Sequence, residues 1–175
     1  MRVHHHILLG GGAALAAVPV FQVEGAVVLW ASSVLIDADH YWDFLLRNGF
    51  RDWSPRQAVR FHLALFHKIH RSDFLALNVL HTGECMLLVL LAGLVLGPTI
   101  IAAFCGMLFH MLLDLAWLGW HRAITRRALS CLEYWLRHRA LLRAGLDPDG
   151  VYREALIEIG VPTASATSSP LFRRP

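Results

Sequence analysis

Residues 99–120 read TIIAAFCGMLFHMLLDLAWLGW, and only two ionisable side chains, His110 and Asp114, interrupt this apolar stretch. A helix of this length reaches about 33 Å, which is enough to cross about 30 Å of membrane hydrocarbon. The stretch ends at Trp120, an aromatic residue of the kind that anchors helices at the membrane surface. The segment therefore predicts a membrane-spanning helix.

The flanking segments extend this prediction to a bundle. Residues 74–96 are also apolar, and Gly97-Pro98 predicts a turn that joins them to 99–120 as a helical hairpin. Residues 7–20 and 21–36 predict a second hairpin, although each arm is short for a full span. We therefore expect an all-α integral membrane helical bundle with about four apolar membrane-embedded helices.

Composition and charge agree with a membrane protein. Hydrophobic residues make up 56% and charged residues 17% of the chain, with a mean hydropathy of +0.48. Basic residues cluster at 47–71 and 122–143, on the same side of the 74–120 hairpin, and this side is expected to be cytoplasmic. We expect a multi-pass protein of the inner membrane with cytoplasmic termini. Its basic clusters would meet anionic lipid, since nucleic acid would not explain the apolar runs.

The remaining segments are polar or amphipathic. Residues 37–53 predict an interfacial stretch, and Ser54-Pro55 predicts the start of an amphipathic helix that runs into the early 70s. Residues 122–160 predict two amphipathic helices, the first ending near Gly145 and the second following the turn at 147–150. We expect one domain over 1–160, with a core at 1–120, and a disordered tail at 161–175.

Metal-ligand side chains recur at one end of the apolar segments. They are His6 in the first, Asp37, Asp39 and His40 after the second, His81 and Glu84 early in the third, and His110 and Asp114 in the fourth. The i,i+3 and i,i+4 spacings put His81 with Glu84, and His110 with Asp114, on shared helical faces. Charges in a membrane are kept with a partner or a function. A divalent metal site is therefore expected, with zinc first and manganese or iron as alternatives.

Further roles and alternatives follow from the same residues. Glu84 is a candidate general base, His70 a candidate ligand, and Arg71 a candidate clamp for phosphate. Taken singly, these residues have simpler explanations: His110 as a hydrogen-bonding group between helices, Asp37 and Asp39 as helix-end carboxylates near solvent, and Arg71 as a group that binds lipid headgroups. A non-enzymatic scaffold is therefore an alternative. A metal carrier, or a haem protein with His81 and His110 as ligands, is another, although haem would not need the carboxylates.

The motifs resemble those of the membrane-bound metal-dependent hydrolases, a family of inner-membrane proteins. The resemblance covers roughly residues 1–120 and rests on His6 to Gly10, on Asp37-Ala38-Asp39-His40, on His70-Arg71 and on His110 to Asp114. It departs after His70-Arg71, where Ser72-Asp73-Phe74 replaces the family's Thr-His-Ser. The resemblance implies metal-dependent hydrolysis, which we expect to act on a phosphoester or lipid substrate at the cytoplasmic membrane surface.

Overall fold

The computed structural model describes residues 3–162 of the chain. It is mostly helical, at 77%, and its helices α1 to α7 are Val3–Leu35, Ala38–Asn48, Pro55–His67, Gly83–Leu96, Pro98–Trp120, Cys131–Arg143 and Pro148–Glu158. Two short strands, β1 (Ala76–Leu77) and β2 (Arg127–Ala128), pair in parallel. Short 3₁₀ helices cover Val79–His81 and Ile124–Arg126. The predicted helical class is confirmed, and residues 163–175 of the predicted tail lie outside the described residues.

Two compact units make up the described chain. The first comprises residues 3–39 and 76–135, and the second comprises 40–75 and 136–162. Each is described by itself below. The expectation of one domain over 1–160 stays a prediction.

The first helix of the first unit folds back on itself, as the sequence predicted for 7–36. Gln22 adopts φ 58° and ψ 179°, which breaks α1 into two arms. The indole Nε1 of Trp30 donates to the carbonyl of Ile7 at 3.1 Å, so the arms run antiparallel. A Cβ atom on Gly10 would lie 2.3 Å from Ser33 Oγ. Glycine therefore lets the two arms approach closely near Ser33.

Helix α5 packs along α1 through small residues. A Cβ atom on Gly106 would lie 2.1 Å from the carbonyl oxygen of Leu29, so only glycine fits at this contact. Ala14, Ala26 and Ala102 are buried beside it. Close approach through small residues is typical of helix pairs in membranes. It brings the α5 side chains of the next turn against the end of α1.

The apolar segment 74–96 is helical only in part, which corrects the expectation of a long third helix. Helix α4 has 14 residues, or about 21 Å, and is too short for about 30 Å of hydrocarbon. The residues before it form β1 and a 3₁₀ turn, and the Thr82 hydroxyl then caps α4 by accepting from the N–H of Cys85 at 3.3 Å.

Two helical segments are long and apolar enough to cross a membrane. Among the described residues they are His4–Asn48, which contains both arms of α1, and Pro98–Trp120. The second corresponds to the segment that predicted a spanning helix. The first unit also exposes large apolar side chains, such as Leu15 at 76% and Val95 at 83%.

The second unit is built around the amphipathic helices α3 and α7. Ser54 caps α3 as predicted, but successive turns end this helix at His67, before the early 70s. Asp147 caps α7 by accepting from the N–H of Gly150, so α7 begins within the predicted turn, at Pro148. The buried core of the unit contains Phe44, Phe61, Leu75, Val151, Tyr152 and Leu156.

Candidate metal centre

Helix α5 supplies two buried side chains to the first unit. His110 and Asp114 are 0% and 4% exposed, and their i,i+4 spacing puts His110 Nε2 3.6 Å from Asp114 Oδ2. Both face α1 rather than the surface, because α5 packs against α1 on this side. The predicted pairing of these two residues on one helical face is therefore present.

Two further side chains meet them. His81 comes from the 3₁₀ turn before α4, and Asp37 from the turn that follows α1. His81 Nε2 lies 3.1 Å from His110 Nε2, and Asp37 Oδ1 lies 3.3 Å from His110 Nε2 and 3.7 Å from His81 Nε2. Asp114 Oδ2 lies 3.8 Å from His81 Nε2. We call Asp37, His81, His110 and Asp114 the four-residue centre.

The spacing of these four atoms suits a small metal ion. Four ligand atoms placed tetrahedrally about 2.0–2.1 Å from zinc would lie about 3.3 Å from one another. Five of the six distances among them lie between 3.1 and 3.8 Å, and all four atoms lie within 4.8 Å of one another. The four-residue centre is thus a buried Asp/His cluster that could hold a metal ion.

The outer nitrogens of both imidazoles are fixed by hydrogen bonds. His81 Nδ1 donates to Asp39 Oδ2 at 3.0 Å, and His110 Nδ1 donates to the carbonyl of Ser33 at 2.7 Å. A carbonyl only accepts, so Nδ1 of His110 carries its proton. Either a proton on one ring or a metal ion between the two Nε2 atoms would then make their 3.1 Å contact favourable. Such outer hydrogen bonds are typical of metal-binding histidines.

Arg127 also contacts the four-residue centre, a role that no sequence pattern predicted. Its Nη1 donates to Asp114 Oδ2 at 3.0 Å, and its Nε and Nη2 donate to Asn78 Oδ1 at 3.3 and 3.2 Å. The side chain is buried because the β1–β2 pairing places Arg127 opposite Ala76, close to Asn78. Two segments that pair although they are about 50 residues apart in the chain leave no local pattern in the sequence.

His6 borders the centre without completing a hydrogen bond. It is 2% exposed, and its ring stacks on that of His110 with 3.8 Å between centroids. Its Nε2 lies 3.3 Å from Asp114 Oδ1, yet within residues 3–162 neither ring nitrogen meets a hydrogen-bond partner of good geometry. Buried polar atoms of this kind call for a ligand or water. Within the described residues, Oδ1 of Asp39 is likewise buried without a hydrogen-bond partner.

Glu84 is not brought to the centre, and the predicted shared face with His81 is wrong. His81 lies in the 3₁₀ turn and is buried, whereas Glu84 begins α4 and is exposed. Glu84 Oε1 accepts from the Ser130 hydroxyl at 2.6 Å and from the N–H of Cys131 at 3.0 Å. The Ser130 hydrogen bond lowers the pKa of Glu84. The chain direction changes at Thr82, so the i,i+3 relation does not apply.

Three predicted site residues, His40, His70 and Arg71, belong to the second unit. The carbonyl of His40 accepts from His62 Nε2 at 2.7 Å, and His70 is exposed. The guanidinium group of Arg71 donates to both oxygens of Asp73 and to Glu154. Hydrogen bonds to Asp73, then to Glu154, raise the pKa of Arg71. Their metal and phosphate roles stay predictions, and the phosphate-binding edge of Arg71 already holds a carboxylate.

Comparison of the chain with models of protein families, with curated proteins and with solved structures found no match. The resemblance to membrane-bound metal-dependent hydrolases therefore rests on the motif residues themselves. Of these motif residues, the first unit brings His6, Asp37, Asp39, His110 and Asp114 to one buried region, together with His81 from outside the motifs.

Proposed function

We propose that this protein is a membrane-bound hydrolase that uses one divalent metal ion, zinc first among the candidates, on a phosphoester or lipid substrate. The observation that carries the proposal is the convergence of four acceptor atoms from Asp37, His81, His110 and Asp114 at the spacing of metal ligands. Mixed histidine and carboxylate ligands suit zinc, with manganese and iron as alternatives.

The charges around the centre support a bound cation. Asp37, Asp39 and Asp114 bring three carboxylates. Among the described residues, the guanidinium group of Arg127 donates to Asp114. Burying carboxylates without compensating positive charge is strongly unfavourable, so a cation held among these groups would be stabilised.

The unequal exposure of the four residues favours catalysis. The side chain of Asp37 is 16% exposed, whereas those of His81 and His110 are 0% and that of Asp114 is 6%. Catalytic zinc sites keep three protein ligands and one open position. A divalent ion there would polarise a phosphoryl oxygen and acidify a bound water. In that case His81, His110 and Asp114 would hold the ion, and Asp37, beside the open position, would accept the proton of the attacking water as the general base.

We place the centre at the cytoplasmic surface of the inner membrane, in a multi-pass protein with cytoplasmic termini. The two long apolar helical segments and the exposed apolar side chains of the first unit support a membrane environment. The basic clusters at 47–71 and 122–143 support the orientation. Cysteine labelling from the periplasm at position 60 or 126, in a chain without its native cysteines, would contradict this topology.

The experiment measures metal content and hydrolysis on protein purified in mild detergent. We expect about one zinc ion per chain and hydrolysis of p-nitrophenyl phosphate or of a phospholipid in mixed micelles. Asp37→Asn should keep the ion and lower hydrolysis by about 10²- to 10⁴-fold. Asp43→Asn, an acidic residue paired with Arg47 in the second unit, is the matched control. Wild-type protein that binds no divalent ion contradicts the proposal.

A non-enzymatic metal-binding protein is the second candidate, because all four positions of the centre are filled by protein ligands, as in structural zinc sites. In that case wild-type protein holds zinc without hydrolysing either substrate, and Asp37→Asn loses the ion. Haem is disfavoured, because its macrocycle would have to lie between His81 and His110. Their Nε2 atoms are 3.1 Å apart, with carboxylates beside them.

A further inference from the structure

Arg127 is a buried cation whose hydrogen bonds leave part of its guanidinium group unused. It is 7% exposed, and it donates once from Nε, once from Nη2 and once from Nη1. Nε carries one hydrogen, whereas each terminal nitrogen carries two. Within residues 3–162, one N–H on each terminal nitrogen therefore has no hydrogen-bond partner.

The contact with Asp114 differs from an ordinary buried ion pair. Arginine and a carboxylate commonly pair through two parallel hydrogen bonds. Here Asp114 offers Arg127 only Oδ2, because Oδ1 faces Nε2 of His6. Asn78, a neutral side chain, holds the opposite edge of the guanidinium group. Asp114 and Asn78 thus hold the guanidinium group of Arg127 in place without using all of its N–H donors.

Arg127 lies next to the four-residue centre, so its N–H groups without hydrogen-bond partners do as well. Its Nη1 lies 3.0 Å from Asp114 Oδ2, the oxygen that faces both histidines. An ion would lie about 2.0–2.2 Å from the same oxygen, so Nη1 would be within about 5 Å of it. An ion and a guanidinium group at this separation can each bind an oxygen of one tetrahedral anion.

We propose that Arg127 is the anion-binding residue of this centre, and that it binds phosphate through the free N–H groups of its two terminal nitrogens. The inference rests on the proposed function and gives its substrate class: a phosphate group, whether of a soluble ester or of a lipid. Arg127 takes the role that the sequence had suggested for Arg71, whose guanidinium group already binds Asp73 and Glu154.

The test is phosphate binding by zinc-loaded protein in detergent, followed by calorimetry, with zinc content measured on every sample. Two probes separate the sources of phosphate: inorganic phosphate, and phosphatidic acid in mixed micelles. Arg127→Gln should weaken binding of at least one probe by about tenfold or more. Arg127→Lys keeps the charge but loses the paired N–H groups, so it should bind with intermediate affinity. Arg126→Gln, the neighbouring loss of one positive charge, is the control.

The outcomes separate this inference from the proposed function. Wild-type protein that takes up no zinc contradicts the proposed function. In that case phosphate binding is compared between metal-free wild type and metal-free Arg127→Gln. Weaker binding by the variant supports the role of Arg127, and equal binding overturns it. Zinc-loaded wild type that binds neither probe overturns the inference, as does unchanged affinity in both Arg127 variants. If Arg127→Gln loses zinc, the test rests on Arg127→Lys. The inference is supported if Arg127→Lys retains zinc and binds phosphate more weakly than wild type. It is overturned if Arg127→Lys also loses zinc.

Discussion

Ionisable side chains cluster in both units of this protein, partly buried in the second unit and largely buried in the first, but their charges are balanced in different ways. In the second unit Arg47 donates to Asp149 at 2.8 Å and to Asp43 at 3.3 Å, and His138 reaches the other oxygen of Asp149 at 3.2 Å. We call these four residues the Arg47 cluster. In the first unit the four-residue centre brings two carboxylates and two imidazoles together, and Arg127 donates to Asp114.

The difference separates a cluster that the chain completes by itself from one that it leaves open. Donors and acceptors alternate in the Arg47 cluster, and the guanidinium group also stacks over Tyr152 at 3.9 Å. Such a cluster can stabilise the fold without a ligand. In the four-residue centre, two carboxylates and two imidazole nitrogens converge at the spacing of metal ligands. A metal ion is therefore the proposed partner of the first unit and not of the Arg47 cluster.

The largest expected effect is loss of the ion from the four-residue centre. His81→Ala and His110→Ala each remove a ligand atom, so the ion content should fall from about one per chain to nearly none. His67→Ala removes an exposed histidine of the second unit and should keep the ion. Elemental analysis of the purified proteins measures this. Equal loss of metal from His67→Ala and His110→Ala would contradict the assignment of the ion to the first unit.

A smaller effect is expected from the residue that orients His81. Asp39→Asn keeps the size of the side chain but weakens the hydrogen bond from His81 Nδ1, so zinc affinity should fall by about 10- to 100-fold. Competition with a chelator of known affinity measures the change. Asp43→Asn, which alters the Arg47 cluster, should leave zinc affinity unchanged. Equal losses in the two variants would remove the distinction between the clusters.

The Arg47 cluster should instead show its contribution in stability and in pH dependence. Burial raises the pKa of Asp149, but the hydrogen bond and charge of Arg47 outweigh it, and the net pKa is lowered. The stabilisation is therefore present above the ordinary carboxylate pKa of about 3.9 and is lost as the pH falls through the lower folded value.

Arg47→Gln should accordingly lower the free energy of unfolding of the second unit by about 1–2 kcal/mol at pH 7. The difference from wild type should shrink as the pH falls below about 4. Amide exchange of α7 between pH 3 and pH 7 measures both. A difference that persists unchanged at pH 3 would show that packing on Tyr152, rather than the ion pair, stabilises the unit.

The smallest expected effect belongs to Glu84. Its carboxylate binds Ser130 and the N–H of Cys131 at the surface of the first unit. Glu84→Gln should therefore change zinc affinity by less than about twofold, well below the effect expected for Asp39, which hydrogen-bonds a metal ligand. The same chelator competition applies. If Glu84→Gln lowers zinc affinity as much as Asp39→Asn does, Glu84 belongs to the metal site and the centre has more than four residues.

Sequence reasoning succeeded where one helix or one turn determined the outcome. The apolar run and the i,i+4 spacing predicted α5 with His110 and Asp114 on one face, and the hairpin at 7–36 followed from its two apolar arms. Asp37 was expected near these residues because it directly follows the second arm. Local periodicity was enough for each of these inferences.

Reasoning from periodicity failed where the helix it assumed was absent. His81 and Glu84 were placed on one face because 74–96 looks continuously apolar, yet Thr82 starts a new helix between them. Arg127 was missed because its position depends on strand pairing with a residue far away in the chain. Hydrophobic patterning carries no information about such pairings.

The two-residue strand pair also constrains the order of folding. Ala76 and Arg127 are separated by about 50 residues, and closing a flexible loop of that length costs about 3.5 kcal/mol of chain entropy. Two residues of ladder cannot offset this cost alone. We expect the α4–α5 hairpin, whose helices are joined at Gly97, to form first and so shorten the loop. On this expectation Arg127 reaches Asp114 late in folding, after α5 has formed.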